Sequence, residues 1–98
     1  MTANEWLNNN EAILIDVREP EEYKEVHIEG AHLIPVGSIE NNKLPPDAKN
    51  KKIIVHCKMG KRGSIACEKL LSENPDLDIY NIDGGIMAWE NAGFSVKK

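Results

Sequence analysis

The sequence has few cysteines and no arrangement of them that forms a redox or metal site. Its 98 residues include two, Cys57 and Cys67, with nine residues between them, so neither a C-x-x-C pair nor a zinc-ligand spacing is present. His27, His32 and His56 are scattered and complete no zinc-ligand set. We therefore expect no metal ion and no cofactor, and a reduced chain suited to the cytoplasm.

Long hydrophobic runs are also missing. No apolar run approaches the roughly 20 residues that a membrane-spanning helix needs, and Met1 precedes a polar stretch rather than an apolar signal segment. We expect neither membrane association nor secretion by a signal of its own. A chain of this length can bury roughly 65% of the surface that it exposes when unfolded. The sequence therefore predicts one compact domain over residues 1–98 and excludes two linked domains.

Positive charge is scarce overall but concentrated at one place. The 12 lysines and arginines are outnumbered by 16 aspartates and glutamates, and a net charge of −4 argues against a nucleic-acid partner. The first 50 residues carry −6 and the remaining 48 carry +2. Lys58, Lys61 and Arg62 follow Cys57 closely with no acid among them. A cationic segment beside a cysteine is the sharpest local charge feature of the chain.

Strand-like and helix-like segments alternate along the chain. Apolar runs at 12–17 and Ile53–His56 are typical of strands buried on both faces, and shorter strands are expected at 32–35 and 79–82. Helices are expected from Thr2 to about Leu7, from Pro20, near 38–42, after the Cys57 loop and at 86–92. Parallel strands need crossover connections, so this alternation predicts an α/β fold. We expect a central, mostly parallel sheet of four to five strands with helices on both faces.

The chemistry-bearing residues fall where strands end. In parallel sheets the functional crevice lies beyond the carboxyl ends of the strands, and Asp16, Arg18 and Cys57 all follow buried strands. Gly60 allows a tight turn whose backbone N–H groups can cradle an anion. The following helix and the nearby cations favour the thiolate form of the cysteine. A nucleophilic Cys57 is therefore favoured over a merely buried one, which needs neither a glycine nor cations.

Other reactive side chains are given structural interpretations. Cys67 lies on an expected inner helix face with Ala66, Leu70 and Leu71, which indicates a core residue.

His56 precedes Cys57 on a strand, so its side chain points to the opposite face and is interpreted as structural rather than as a general base. Trp6 and Trp89 are expected to serve packing, and the acidic run from Glu19 to Glu25 is expected to form a solvated helix face.

Four ordered motifs cover nearly the whole chain and carry a family resemblance. They are DVREPEEY at 16–23, HIEGA at 27–31 with Ile34–Pro35, Cys57-x-x-Gly60-x-Arg62, and Asp83–Gly85 with Ala88–Trp89. In these motifs the sequence resembles the rhodanese-like sulfurtransferase family. Members commonly begin with an edge strand before the first helix, whereas this chain starts at the helix, which fits a trimmed domain of a longer protein.

The resemblance implies a specific reaction. In this family the loop cysteine accepts a sulfane sulfur, becomes a persulfide and passes that sulfur to a thiol or cyanide acceptor. On the matching positions, Cys57 is implied to be the nucleophile and persulfide carrier. The implied anion cradle consists of Lys58, Met59, Gly60, Lys61 and Arg62. Asp16 and Arg18 match the motif beside the loop, where an ion pair or hydrogen-bonded bracket is expected to support it.

The sequence leaves alternatives open for the sulfur donor and for the class of reaction. Lys58 and Lys61 favour a small anionic donor such as thiosulfate, but a protein persulfide and a role as a sulfur-relay or docking module remain alternatives. A third alternative is a phosphatase or arsenate reductase, because such enzymes also use a cysteine loop that ends in arginine. Phosphatase loops are one residue longer than the four residues between Cys57 and Arg62. The shorter ring suits one sulfur atom better than a tetrahedral oxyanion.

Overall fold

The computed structural model describes residues 2–40, 43–45, 51–58, 61–82, 84–94 and 96–97. Its helices are α1 (Thr2–Asn8), α2 (Pro20–Glu25), α3 (Lys61–Glu73) and α4 (Gly85–Asn91). Its strands are β1 (Ala12–Asp16), β2 (His32–Leu33), β3 (Lys52–His56) and β4 (Ile79–Asn81), and a 3-10 turn covers Val36–Ser38. No helix in these ranges is long and apolar enough to cross a membrane.

The four strands form one parallel sheet in the order β2-β1-β3-β4. The two longest apolar strands, β1 and β3, occupy the centre and pair in register from Ala12 with Lys52 to Asp16 with His56. Helices cover both faces of these strands, which explains why almost all of their residues are buried. The predicted α/β class and parallel sheet are confirmed, and each strand boundary lies within two residues of its prediction.

Side-chain alternation along the central strands divides the core into two clusters. One lies on the face covered by α3 and the 3-10 turn, and the other on the face covered by α1 and α4. The first consists of Ile13, Ile15, Val17, Ile39, Ile53, Val55, Cys57, Ala66 and Leu70. The second consists of Ala12, Leu14, Ile28, Ile54, Ile82, Ile86 and Trp89. Because Cys57 belongs to the first cluster, its side chain lies on the side of the sheet that α3 covers.

Two details of the sequence analysis are wrong. In place of a helix near 38–42, the structure has the 3-10 turn Val36–Ser38 and then extended backbone at Ile39; positions 41–42 lie outside the described residues. Ile39 is fully buried, but its immediate neighbours in the sequence are polar. A single buried residue does not provide the apolar face that would stabilise a helix here. Leu71 is 37% exposed, because the buried stripe of α3 runs through Gly63, Ala66 and Leu70 and Leu71 lies about 100° further round the helix.

The first turn of α4 packs directly against the start of the loop after β3. The N–H of Ile86 donates to the carbonyl of Cys57 at 2.8 Å, and the N–H of Met87 donates to the carbonyl of Lys58 at 3.4 Å. Gly85 has a φ of +59°, and a side chain at this position would collide with the backbone of Cys57 and Lys58. A glycine is therefore required here both for its conformation and for the close approach.

Replacing Gly85 by alanine tests this contact. Gly30→Ala is the matched control, since Gly30 also has a positive φ of +89° but open space around the missing side chain. The control should lose about 1 kcal/mol of unfolding free energy from its left-handed backbone alone, whereas Gly85→Ala should lose about 3 kcal/mol because the loop must also move. Urea denaturation measures both, and equal losses would show that the close approach contributes nothing.

Candidate active site

Cys57 lies at the carboxyl edge of the central strand β3, four positions before α3 begins. The residue is only 2% exposed and packs with the first core cluster. The sheet and the start of α4 therefore fix its position from within the protein. The cradle residues Met59 and Gly60 lie outside the described residues, and their binding roles stay predictions.

The three cations of the predicted cradle have different environments. Lys58 and Lys61 are exposed, which leaves their ammonium groups in solvent beside the loop. Arg62 instead turns towards α2 and makes a bidentate ion pair with Glu22. Its Nη1 donates to Oε1 at 2.6 Å and its Nη2 donates to Oε2 at 2.9 Å. This geometry is among the stronger forms of ion pairing in proteins.

The ion pair shifts the pKa values of both partners. Hydrogen bonds from Arg62 lower the pKa of Glu22 from 4.5 to about 2, so the carboxylate stays charged throughout the neutral range. The hydrogen bonds to Glu22 in turn raise the pKa of Arg62. Both members of the pair are therefore charged at neutral pH.

Asp16 and Arg18 form a buried ion pair at the end of β1. The Nε of Arg18 donates to Oδ1 of Asp16 at 3.0 Å and its Nη2 donates to Oδ2 at 2.7 Å. The guanidinium also donates to two carbonyls of the α2 region, those of Val26 at 2.7 Å and Glu22 at 3.5 Å. These additional bonds compensate for the desolvation of a buried pair and connect the sheet to α2.

The His56 side chain lies beside this pair. It is fully buried, its Nε2 lies 3.7 Å from Oδ2 of Asp16, and neither ring nitrogen has a hydrogen-bond partner among the described residues. Burial lowers the pKa of His56, as does the charge of Arg18, while Asp16 and the backbone of Cys57 oppose the shift. The imidazole is therefore neutral and faces away from the cysteine, in agreement with the predicted structural role.

The remaining candidates also have structural environments. Cys67 is half-buried against the first core cluster, and burial raises the pKa of its thiol to about 11, which keeps it protonated. Trp89 is buried with its ring centroid 4.9 Å from that of Phe94, and Trp6 contacts Tyr80 at 4.8 Å. Both tryptophans pack against neighbouring aromatic rings, as expected.

The pairing of Glu22 with Arg62 is what the sequence analysis missed. The acidic run predicted a solvated helix face, yet the Glu22 side chain is only 29% exposed and pairs with a residue 40 positions later. The capping geometry of α2 gives a partial signal, because Oε1 of Glu22 accepts the N–H of Glu19 at 3.0 Å. That bond orients the carboxylate, but nothing local in the sequence identifies its distant partner.

Comparisons with known proteins agree with this geometry. The model of the family "Rhodanese-like domain" matches residues 2–92. The chain is 37% identical to the Arabidopsis thaliana "Protein HIGH ARSENIC CONTENT 1, mitochondrial", over 99% of this chain and 63% of that protein. It is 28% identical to the "Thiosulfate sulfurtransferase GlpE" of Pseudoalteromonas translucida, over 90% of this chain and 82% of that protein. A rhodanese-related protein of Thermoplasma volcanium superimposes with a TM-score of 0.77 at 30% identity, covering 97% of this chain and 92% of that one.

The chain spans only part of the length of some of its relatives. The chain spans 63% of the length of the Arabidopsis relative and 53% of that of an uncharacterised Synechocystis protein to which it is 31% identical. The match over residues 2–92 covers the sheet, the cysteine loop and the helices around it. On this evidence the chain belongs to the rhodanese-like domain family, for which the comparisons support sulfur transfer at the family level.

Proposed function

We propose that this protein is a sulfurtransferase of the rhodanese type in which Cys57 carries sulfur as a persulfide. The donor is a small anionic carrier of sulfane sulfur such as thiosulfate, and the acceptor is a thiol or cyanide. The observation that carries the proposal is that Cys57 lies at the carboxyl edge of β3, with the exposed Lys58 directly after it and the exposed Lys61 at the first position of α3. The thiosulfate sulfurtransferase of Pseudoalteromonas translucida, 28% identical, supports thiosulfate as a donor.

The reaction has two nucleophilic steps. The Cys57 thiolate attacks the outer sulfur of thiosulfate, a new sulfur–sulfur bond forms, and sulfite leaves with the electron pair of the broken bond. Cyanide or a thiolate then attacks the outer sulfur of the persulfide, which releases thiocyanate or a new persulfide and restores the Cys57 thiolate. No general base is needed because each attacking group is already an anion. The loop and its cations contribute by stabilising negative charge.

A neutral His56 on the opposite face of β3 fits this mechanism. A hydroxyl nucleophile would need a base within hydrogen-bond reach, whereas a thiolate does not. The second cysteine is also not required, since burial raises the pKa of Cys67 to about 11 and keeps it protonated. One cysteine therefore performs both steps.

A second candidate function is oxyanion chemistry, either phosphate hydrolysis or arsenate reduction. It is favoured by the 37% identity to a relative whose name refers to arsenic content. Two features of this chain speak against it: the loop has only four residues between Cys57 and Arg62, and both terminal nitrogens of Arg62 are bound to Glu22. An oxyanion would have to compete with this carboxylate for the guanidinium.

Replacing each cysteine in turn tests which of them carries the sulfur. Cys57→Ser should retain less than about 0.1% of the sulfur-transfer rate, because a serine hydroxyl is not ionised at neutral pH and cannot hold a persulfide. Cys67→Ala is the matched control and should keep wild-type turnover. Steady-state transfer from thiosulfate to cyanide measures both variants, with thermal melts to verify folding. Retained turnover in Cys57→Ser, or a folded but inactive Cys67→Ala, would refute the assignment.

Oxyanion substrates distinguish the two candidate functions. The unmodified protein should release no measurable phosphate from p-nitrophenyl phosphate and should not reduce arsenate with a thiol reductant, because its loop is short and Arg62 is paired. The same preparation must transfer sulfur from thiosulfate, which serves as the positive control. Efficient turnover of either oxyanion would favour the second candidate instead.

A further inference from the structure

His56 is a buried titratable residue that the proposed sulfur transfer does not use. It is the last residue of β3 and is fully buried, and neither of its ring nitrogens has a hydrogen-bond partner among the residues that the structure describes. Buried polar atoms are usually paired, because leaving one unpaired costs free energy. The site therefore accommodates a neutral imidazole, and its described neighbours provide no acceptor at bonding distance for an added proton.

The carboxylate beside the ring is already engaged by Arg18. Nε2 of His56 lies 3.7 Å from Oδ2 of Asp16, which is beyond hydrogen-bonding distance. That oxygen accepts from Nη2 of Arg18 at 2.7 Å, and Oδ1 accepts from the N–H of Arg18 and from its Nε, both at 3.0 Å. A proton on His56 would therefore place a second buried cation beside a carboxylate whose charge Arg18 already balances.

The part of this cluster that can yield is Arg18 and its contact with α2. His56 and Asp16 are paired across β3 and β1 in the centre of the sheet, so their backbones cannot move apart. Arg18 instead reaches out of the sheet, and its guanidinium donates to the carbonyls of Val26 at 2.7 Å and Glu22 at 3.5 Å. If a protonated His56 takes Oδ2 of Asp16, Arg18 loses that bond and its hold on α2 is weakened.

The charged groups that act on His56 among the described residues are Asp16 and Arg18. The side chains that α1 and α4 bring to this face of the sheet are apolar and include Leu7, Ile86 and Trp89. Burial lowers the pKa of His56 and the charge of Arg18 adds to this, while Asp16 and the backbone of Cys57 oppose it. In the unfolded chain the histidine has its ordinary pKa of 6.5, so below this pH the unfolded chain binds a proton that the folded chain does not.

We propose that His56 is an acid-sensitive switch: its protonation places a second cation beside Asp16, displaces Arg18 and releases α2 from the sheet. The proton comes from the solvent, binds the ring nitrogen that carries no hydrogen, and returns to the solvent when the pH rises, so the change is reversible. The protein keeps the closed arrangement above about pH 6.5 and opens progressively as the pH falls below that value. This inference does not depend on the sulfur transfer proposed above, because it concerns how the fold responds to acid.

Urea denaturation between pH 8 and pH 5 tests the switch in the wild type, His56→Gln and His32→Gln. The glutamine amide stays neutral, so relative to His56→Gln the wild-type unfolding equilibrium constant should rise by up to about tenfold for each pH unit below 6.5. His32 is exposed, and His32→Gln is the matched control that should keep the wild-type dependence. The series stops at pH 5, because the stabilisation by Glu22, whose pKa is about 2, is lost only below its ordinary value of 4.5.

Hydrogen exchange tests the release of α2 itself. Backbone exchange of the peptide over residues 19–27 is compared in the wild type and His56→Gln at the same pH, so that the intrinsic exchange rates cancel. The ratio of the wild-type rate to the variant rate should rise about tenfold between pH 7.5 and pH 5.5, because the open state takes up one proton. Within the wild type this peptide should also exchange faster than that of α3, because α2 opens before the whole chain unfolds.

Two results would overturn the proposal. If the pH dependence of wild-type unfolding persists in His56→Gln, other groups cause it. If α2 exchanges no faster than α3 in the wild type, or its rate ratio stays constant, acid does not release the helix.

Two further measurements decide the question if His56→Gln does not fold. His56→Leu also removes the unpaired ring nitrogens and should lose the same pH dependence. If neither variant folds, the imidazole resonance of His56 in the wild type is followed by NMR as the pH is lowered. The switch predicts that the ring becomes protonated only as α2 loses its protection from exchange, and protonation while α2 stays protected would contradict it.

Discussion

The close approach between α4 and the cysteine loop is the constraint on which the site depends. The carbonyls of Cys57 and Lys58 accept hydrogen bonds from the first turn of α4, and the backbone at Gly85 lies where no side chain would fit. Together with the burial of Cys57 in the first core cluster, this contact determines where the loop leaves the sheet. Cys57, the proposed nucleophile, is therefore positioned by backbone packing and by burial in the core.

A second constraint acts on the site from the carboxyl end of β1, the strand beside β3. The buried Asp16–Arg18 pair has its charges satisfied by each other and by the carbonyls of Glu22 and Val26. Loss of one partner of such a pair leaves an uncompensated buried charge, which typically costs about 3–5 kcal/mol. The pair thereby sets the position of α2, and α2 presents Glu22 to Arg62. In this account the motif after β1 influences the cysteine loop through a helix rather than through the reaction itself.

Much of this arrangement could be predicted from the sequence because it depends on local patterns. The apolar runs of β1 and β3 predict a parallel sheet, strand alternation predicts that His56 and Cys57 face opposite sides, and the sequence places Cys57 at a strand end. The helix near 38–42 was wrong because the burial of Ile39 alone does not specify a helix. The Glu22–Arg62 pair could not be predicted, since 40 residues separate its members and tertiary packing brings them together. The close approach of Gly85 to the backbone of Cys57 and Lys58 also results from tertiary packing, so it could not be predicted from the sequence either.

The central claim is that Cys57 is the nucleophile that accepts the sulfur atom, and intact-mass spectrometry tests it most directly. The reduced protein is incubated with thiosulfate or glutathione persulfide, freed of excess donor, and weighed before and after addition of cyanide. The account predicts a gain of one sulfur atom, mapped to the peptide that contains Cys57, and its removal by cyanide with formation of thiocyanate. An unchanged mass with both donors, or sulfur found on Cys67 instead, would contradict it.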